Sequence, residues 1–290
     1  MKGKVCIVTG TSAGIGKATA IGLAKLDATV VAVMRDSEKS NAALTEIRMR
    51  SGKNESVVHI TADLSSQKSI SEFVKEFNAR FDRLDVLLNN AGVNQFKRIL
   101  TADGIEMTFA VNVLAPFLLT NLLTEKLRAS APSRIVNVSS STSNGAKIDF
   151  DNLQGERKYS TFGIYGQSKL ALNLITVELS RRLAGTGVTA NFLHPGVIRT
   201  ELGTRDVHPV LKAIVGFVKL FMGSPEKGAR TSIYLASSPE VEGITGKYFA
   251  NQKVVTANPI SFDEATAKRL WKICEDLTGL SIPSHAAAAS

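Results

Sequence analysis

The stretch Tyr165-Gly166-Gln167-Ser168-Lys169 sets a phenol and a primary ammonium four residues apart. It runs into Leu170, Ala171, Leu172, Leu174, Ile175, Val177 and Leu179 with few breakers, which reads as a buried or half-buried helix. On a helix, residues four apart stand on one face, so Tyr165 and Lys169 lie side by side. A free tyrosine titrates near ~10, too high for a base at neutral pH. A fixed ammonium nearby favours the phenolate and brings that value toward the working range. The pair therefore suits proton transfer to or from an alcohol oxygen. The spacing also arises by chance, as an aromatic ring lying over a lysine stem, so it needs partners elsewhere in the chain.

Those partners must be held by a surrounding frame. Val5–Val8 is an apolar strand that runs into Thr9-Gly10-Thr11-Ser12-Ala13-Gly14-Ile15-Gly16, and a helical stretch follows from Ala18 to Leu26. Strand, glycine-rich turn and helix is the context a dinucleotide pyrophosphate needs. The glycines admit a tight turn and a close backbone approach, and the helix N-terminus offers N–H groups. The second strand, Thr29–Met34, ends at Arg35-Asp36. An arginine at that tip suits the 2′-phosphate of NADP better than the ribose hydroxyls of NAD, with Ser12 and Lys39 as helpers. Asp36 then reads as an N-cap of the next helix.

A third strand, Val57–Thr61, leads to Asp63 and Leu64, where a loop faces the adenine; Asp63 reads equally as a helix cap near Ser66. His59 alternates with apolar neighbours and reads as a packed strand residue. The fourth strand ends in Asn89-Asn90-Ala91-Gly92, small enough for close approach to a cofactor. Asn112 lies in an apolar helix and needs a hydrogen-bond partner if buried. The fifth strand, Arg134–Val138, ends at Ser139-Ser140-Ser141, at the sheet edge where open α/β folds bind ligands. A polar excursion over 142–160 precedes the Tyr165 helix, whose end falls near Gly185 or Gly187. The sixth strand, Val188–Leu193, runs into His194-Pro195-Gly196-Val197-Ile198-Arg199-Thr200, and a seventh falls near Gly246–Phe249. The alternation predicts a single α/β domain over 1–290: a doubly wound, seven-stranded parallel sheet with helices on both faces.

Composition agrees. The 290 residues are 44% hydrophobic and 21% charged, and no linker or composition break divides them. Cys6 and Cys274 lie far apart and read as packing residues, with no disulfide framework or metal-ligand cluster. The net charge of +9 is scattered, with no basic-aromatic module, so nucleic acid is not an expected partner. The first strand begins by Val5, leaving no room ahead of it for a signal peptide or anchor, and a cytoplasmic protein is expected. The apolar region around 109–123 is interrupted by Asn112, Pro116 and Asn121 and is not a clean membrane span. Residues 210–222 are apolar apart from Lys212 and Lys219. They read as part of a substrate lid over about 201–224, or as a peripheral membrane contact. A helical tail over about 261–290 carries the single tryptophan, Trp271, and no visible chemistry.

Taken together, Thr9-Gly10-x-x-x-Gly14-Ile15-Gly16, Asn89-Asn90-Ala91-Gly92, Asn112, Ser140, Tyr165-x-x-x-Lys169 and Pro195-Gly196 resemble the short-chain dehydrogenase/reductases. The resemblance runs from about Lys2 to Phe249 and implies a Rossmann fold. It implies Tyr165 as general acid/base, Lys169 as the group that lowers its pKa and binds the nicotinamide ribose, Ser140 on the substrate oxygen, and Asn112 on a water in the proton path. It places Val197, Ile198 and Thr200 beside the nicotinamide carboxamide, and implies a homo-oligomer built through the helices carrying Asn112 and Tyr165. Met34-Arg35-Asp36, the segment Val111–Thr120, the run Arg134–Ser140 and His194-Pro195-Gly196-Val197 are closer still to the retinol dehydrogenase-like branch. That branch implies NADP(H) rather than NAD(H), and lipophilic alcohols, aldehydes or ketones as substrates. Steroid or sugar derivatives are the alternative substrates within the family. A sugar-nucleotide epimerase is disfavoured by the three residues between Gly10 and Gly14, and a non-catalytic NADP-binding scaffold by the presence of all four catalytic residues.

Overall fold

The computed structural model describes residues 1–196 and 223–280. One parallel sheet organises them, in the order β3-β2-β1-β4-β5-β6-β7-β8. The strands are β1 (Val5–Thr9), β2 (Thr29–Met34), β3 (Val57–Thr61), β4 (Val86–Asn89), β5 (Ser133–Val138), β6 (Val188–Leu193), β7 (Tyr248–Ala250) and β8 (Lys253–Val254). The sheet is thus the expected doubly wound one with an addition. After β7 the chain turns back through Asn251 and Gln252, both with positive φ, and pairs two further residues antiparallel as β8. Two exposed residues carry no hydrophobic alternation, so nothing in the sequence marked an eighth strand.

β1, β2 and β4 are apolar except for Thr9, Thr29 and Asn89 and are almost wholly buried, as strands covered on both faces must be. Helices α1 (Gly14–Lys25), α2 (Glu38–Ser51) and α3 (Gln67–Arg80) connect the first half. The caps differ from expectation. Ser37, not Asp36, caps α2 by accepting from Ser40 N–H, and Ser66 caps α3 by accepting from Ser69 N–H. Asp63 instead folds onto its own turn, its Oδ1 accepting from the amide and hydroxyl of Ser65. His59 stays in its strand, with Nε2 3.3 Å from the Met34 carbonyl.

In the second half, α4 (Met107–Phe109) passes through a π turn at Ala110–Leu114 into α5 (Ala115–Ala129). This stretch is long and apolar enough to cross a bilayer, yet most of it is buried inside the domain. α6 (Thr161–Arg182) carries Tyr165 and is buried nearly continuously from Gly166 to Leu179. It stops at Leu183, and Gly185 and Gly187 take positive φ in the turn beyond. α7 (Pro225–Ser237) packs against α1, and α8 (Glu264–Thr278) packs along α6. Trp271 of α8 is buried, with its ring edge-on to Phe117 of α5 at 4.8 Å and the Arg182 guanidinium 4.2 Å above it. α8 therefore lies along α6 and reaches α5 through Trp271. Cys6 and Cys274 are buried free thiols, as their apolar settings implied.

Candidate active site

β1 and β4 are adjacent, and from them the chain winds to opposite sides of the sheet, which opens a crevice at their carboxyl ends. Every described residue picked out from the sequence as catalytic or cofactor-binding stands on the segments at that edge.

The floor of the crevice is held by Thr9. Its hydroxyl oxygen accepts from the amides of Asn90 and Ala91, both at 3.0 Å, while the Asn90 side chain donates to the Thr9 carbonyl at 2.8 Å. These bonds lock the glycine turn after β1 to the Asn-Ala-Gly turn after β4. Contact is so close that a Cβ on Gly16 would collide with the Gly10 carbonyl and the Asn90 amide. Gly10 and Gly14 have positive φ, and Gly14 faces open space. The amides at the start of α1, from Gly14 through Ile15 to Gly16, have no acidic side chain in the first turn to occupy them. That is a cradle for a pyrophosphate, and these residues fit one. The Thr9 hydroxyl was not singled out in the sequence, because only the adjacency of β1 and β4 gives it a role.

At the tip of β2, Arg35 and Lys39 are exposed and Ser12 is half-buried in the glycine turn, a basic and hydroxyl-bearing rim. Asp63 and Leu64 lie beyond β3, Leu64 half-buried against the core. Pro195 and Gly196 follow β6, where the Gly196 amide donates to His194 Nδ1 at 3.1 Å. Val197, Ile198 and Thr200 lie outside the described residues, as does the 210–222 segment.

The Tyr165 end is built by Lys169, Ser140 and Asn112. The Lys169 ammonium is buried and donates to the Val138 carbonyl at 2.9 Å. Burial lowers its pKa to about 8. It stands 5.8 Å from the centre of the Tyr165 ring, and a Cβ on Gly92 would come within 3.3 Å of it and 3.4 Å of Asn112 Oδ1. Gly92, Lys169 and Asn112 therefore meet at one point, where glycine keeps the approach open. Burial raises the pKa of the Tyr165 phenol, and a hydrogen bond with the Ser140 hydroxyl acts in the opposite direction. In this state the main influence on the phenol is thus burial, and the lowering comes from Ser140. Ser140 starts the short helix Ser141–Gly145, its Oγ accepting from Thr142 N–H.

Asn112 has the partners that its burial demanded. Its Oδ1 accepts from Val93 N–H at 2.8 Å, and its Nδ2 donates to the Val93 carbonyl at 2.9 Å and to Ser168 Oγ at 3.0 Å. Ser168 in turn donates to the Tyr165 carbonyl at 2.8 Å. The π turn in which Asn112 sits is a common device at functional sites. Ser168 was missed: inside Tyr165–Lys169 it looks like helix filler, yet it joins Asn112 to the helix that carries Tyr165. A phenol, a hydroxyl and an ammonium at the mouth of a dinucleotide cradle can hand a proton to a substrate oxygen. The bound nucleotide would supply hydride chemistry.

Residues 4–209 match the family model described as short chain dehydrogenase. The chain is 47% identical over 290 residues to human retinol dehydrogenase 13, covering 97% of this chain and 86% of that protein. It is 45% identical over 296 residues to human retinol dehydrogenase 14, covering 97% and 88%. Among solved structures, the RhlG/NADP active-site complex of Pseudomonas aeruginosa is similar at 28% identity, with a TM-score of 0.69 and coverage of 86% and 94%. This chain belongs to the short-chain dehydrogenase family, in its retinol dehydrogenase-like branch, and is an oxidoreductase.

Proposed function

We propose that the protein interconverts a lipophilic alcohol, retinoid-like in character, and its aldehyde or ketone, using NADP(H). The observation that carries this reading is the meeting of Tyr165, Ser140, Lys169 and Asn112 beside the glycine cradle. Tyr165 gives a proton to the carbonyl oxygen in reduction and removes it in oxidation, while Ser140 holds that oxygen. Lys169 places a positive charge beneath the phenol and reaches the ribose edge at Gly92. Asn112 keeps Val93 and Ser168 in register. Gly10, Gly14, Ile15 and Gly16 hold the pyrophosphate, and Ser12 and Lys39 assist Arg35 at the 2′-phosphate. Asn90, Ala91 and Gly92 line the middle of the nucleotide, and Asp63 and Leu64 the adenine. Pro195 and Gly196, with Val197, Ile198 and Thr200, flank the nicotinamide. The exposed Arg35 at the tip of β2 supports NADP(H) over NAD(H). The named activity of the retinol dehydrogenases supports the substrate class.

The same reading places a substrate lid over about 201–224 and the protein in the cytoplasm, with peripheral membrane contact through 210–222. It takes the protein as a homo-oligomer, built through the helices that carry Asn112 and Tyr165 as the family resemblance implies. The test is NADPH oxidation with a panel of short, aromatic, steroid and retinoid carbonyls, with NADH and Tyr165→Phe protein as controls. Turnover that prefers NADPH, favours long apolar carbonyls and vanishes in Tyr165→Phe is the expected result. Binding of NADPH with no reduction across the panel would favour a non-catalytic scaffold.

A further inference from the structure

Glu106 is fully buried, although the loop Thr101-Ala102-Asp103-Gly104-Ile105 just ahead of it is largely solvent-facing. A carboxylate taken out of water must be fully bonded. Here Oε2 accepts from Phe109 N–H at 2.8 Å, capping the helix that leads to Asn112, and Oε1 lies 3.1 Å from the Tyr159 hydroxyl. The same hydroxyl lies 3.1 Å from the Gln95 carbonyl, in the loop that follows β4. Glu106 N–H donates to Gln154 Oε1 at 2.9 Å, so the main chain and side chain of Glu106 both grip the 142–160 excursion. The fit around the Tyr159 ring is tight as well. Gly155 has positive φ, and a Cβ there would come within 2.6 Å of the ring.

The positions of these two residues give the contact its meaning. Glu106 stands six residues before Asn112, and Tyr159 six residues before Tyr165. Tyr159 directly precedes Ser160, the N-cap of α6, whose Oγ accepts from Gly163 N–H. Next along, Thr161 Oγ1 donates to the Phe96 carbonyl at 3.2 Å, in the same loop as Gln95. One phenol–carboxylate contact thus ties together the starts of both helices that carry catalytic groups and the loop between β4 and α4. Downstream, Asn112, Ser168 and the Tyr165 carbonyl form a second tie between the same helices.

We propose that Tyr159 and Glu106 are positioning residues for the reaction, a brace that sets the separation of the Asn112 and Tyr165 helices and hence the placing of the Tyr165 hydroxyl. Burial pushes the Tyr159 phenol up to about 12, so it remains a hydrogen-bond donor throughout the neutral range. It touches no group of the catalytic set and acts only through the two helices.

The test uses the full-length chain with Tyr159→Phe, which removes one hydroxyl, and with Glu106→Gln and Glu106→Ala. Only the kinetic arm rests on the function proposed above. In that arm Tyr159→Phe lowers kcat about tenfold, with NADPH affinity within about twofold of wild type, because small displacements of a reacting group are costly while the glycine cradle is untouched. Glu106→Gln, which can still accept from Tyr159, retains more activity than Glu106→Ala. In the second arm, hydrogen exchange of the unliganded proteins shows faster exchange at Thr161–Tyr165 and Val93 in Tyr159→Phe, with Gly14–Lys25 unchanged. Unchanged kcat in Tyr159→Phe, or exchange accelerated equally across the sheet, would overturn the brace. If the wild-type protein reduces no carbonyl, the proposed function fails, and the exchange arm still decides the brace.

Discussion

The two ends of the nucleotide crevice are built by opposite means. At the reactive end, Asn112, Ser168 and Lys169 are buried, and each has at least one hydrogen-bond partner on another element. At the other end, Arg35, Asp36, Ser37, Glu38 and Lys39 are all exposed, and the turn carries a local cap in which the Ser40 amide donates to Ser37 Oγ. The first arrangement makes chemistry a consequence of folding, since moving any one group disturbs several others. On the proposed function, the second makes cofactor choice a surface property, set by a few side chains that can change without repacking anything.

The largest effect that would sharpen this contrast is on the reaction itself. Tyr165→Phe should lower kcat by about 10²–10⁴-fold, the usual contribution of a positioned acid–base group, with NADPH binding retained. Fluorescence titration beside steady-state rates checks both parts; a rate within tenfold of wild type would remove Tyr165 from its role.

Asn112→Ala should cost about 1–3 kcal/mol in urea unfolding, because it leaves the half-buried Val93 amide and carbonyl without their partner. A variant as stable as wild type would mean that the reactive end is less tightly determined than its bonds suggest.

At the other end, Arg35→Ala should weaken NADPH binding by about 10–100-fold, with NADH binding and stability nearly unchanged. Calorimetric titration with both nucleotides separates these outcomes. Equal losses for both nucleotides would place Arg35 in a general electrostatic role and break the contrast.

The smallest effect is a pH slope. Burial brings Lys169 down to about 8 in the folded protein, against ~10.4 for a free lysine, so between these values the unfolded chain binds more protons than the folded one. Stability contributed by this site therefore rises with pH across that window, by at most about 1.4 kcal/mol per pH unit. Wild type should gain on Lys169→Met as unfolding is measured without nucleotide at pH 8, 9 and 10. Parallel curves would show that the ammonium is better solvated than its surroundings imply.

Much of this was legible in the chain. Apolar strands alternating with helices marked out the sheet, and glycine spacing with Tyr165 and Lys169 pointed to the crevice and to the chemistry proposed for it. The sequence-readable residues share a property: their roles follow from neighbours close in the chain. Thr9, Ser168, Glu106 and Tyr159 do not share it. Glu106 follows a polar loop and reads as one more surface carboxylate, and its partner Tyr159 is 53 residues away. Asp36 and Ser37 show the same limit at short range, since either could cap α2 and only the extended backbone at Ser37 decides between them. The antiparallel β8 depends on two positive-φ residues that are not glycine, a conformation that composition does not signal.

The π turn at Ala110–Leu114 has a consequence for phase. A helix advances about 100° per residue, so one extra residue in a turn rotates everything before it relative to everything after it. Phe109 upstream and Phe117 and Leu118 downstream nevertheless all reach the same core. Deleting a single residue from 110–114 would yield a smoother, more regular helix with its two halves about 100° out of phase. Either the upstream aromatic or the downstream pair would then face away from the sheet, and Asn112 would lose its angle toward Val93. Here local regularity and a working enzyme are alternatives, and the chain is one residue away from the wrong one.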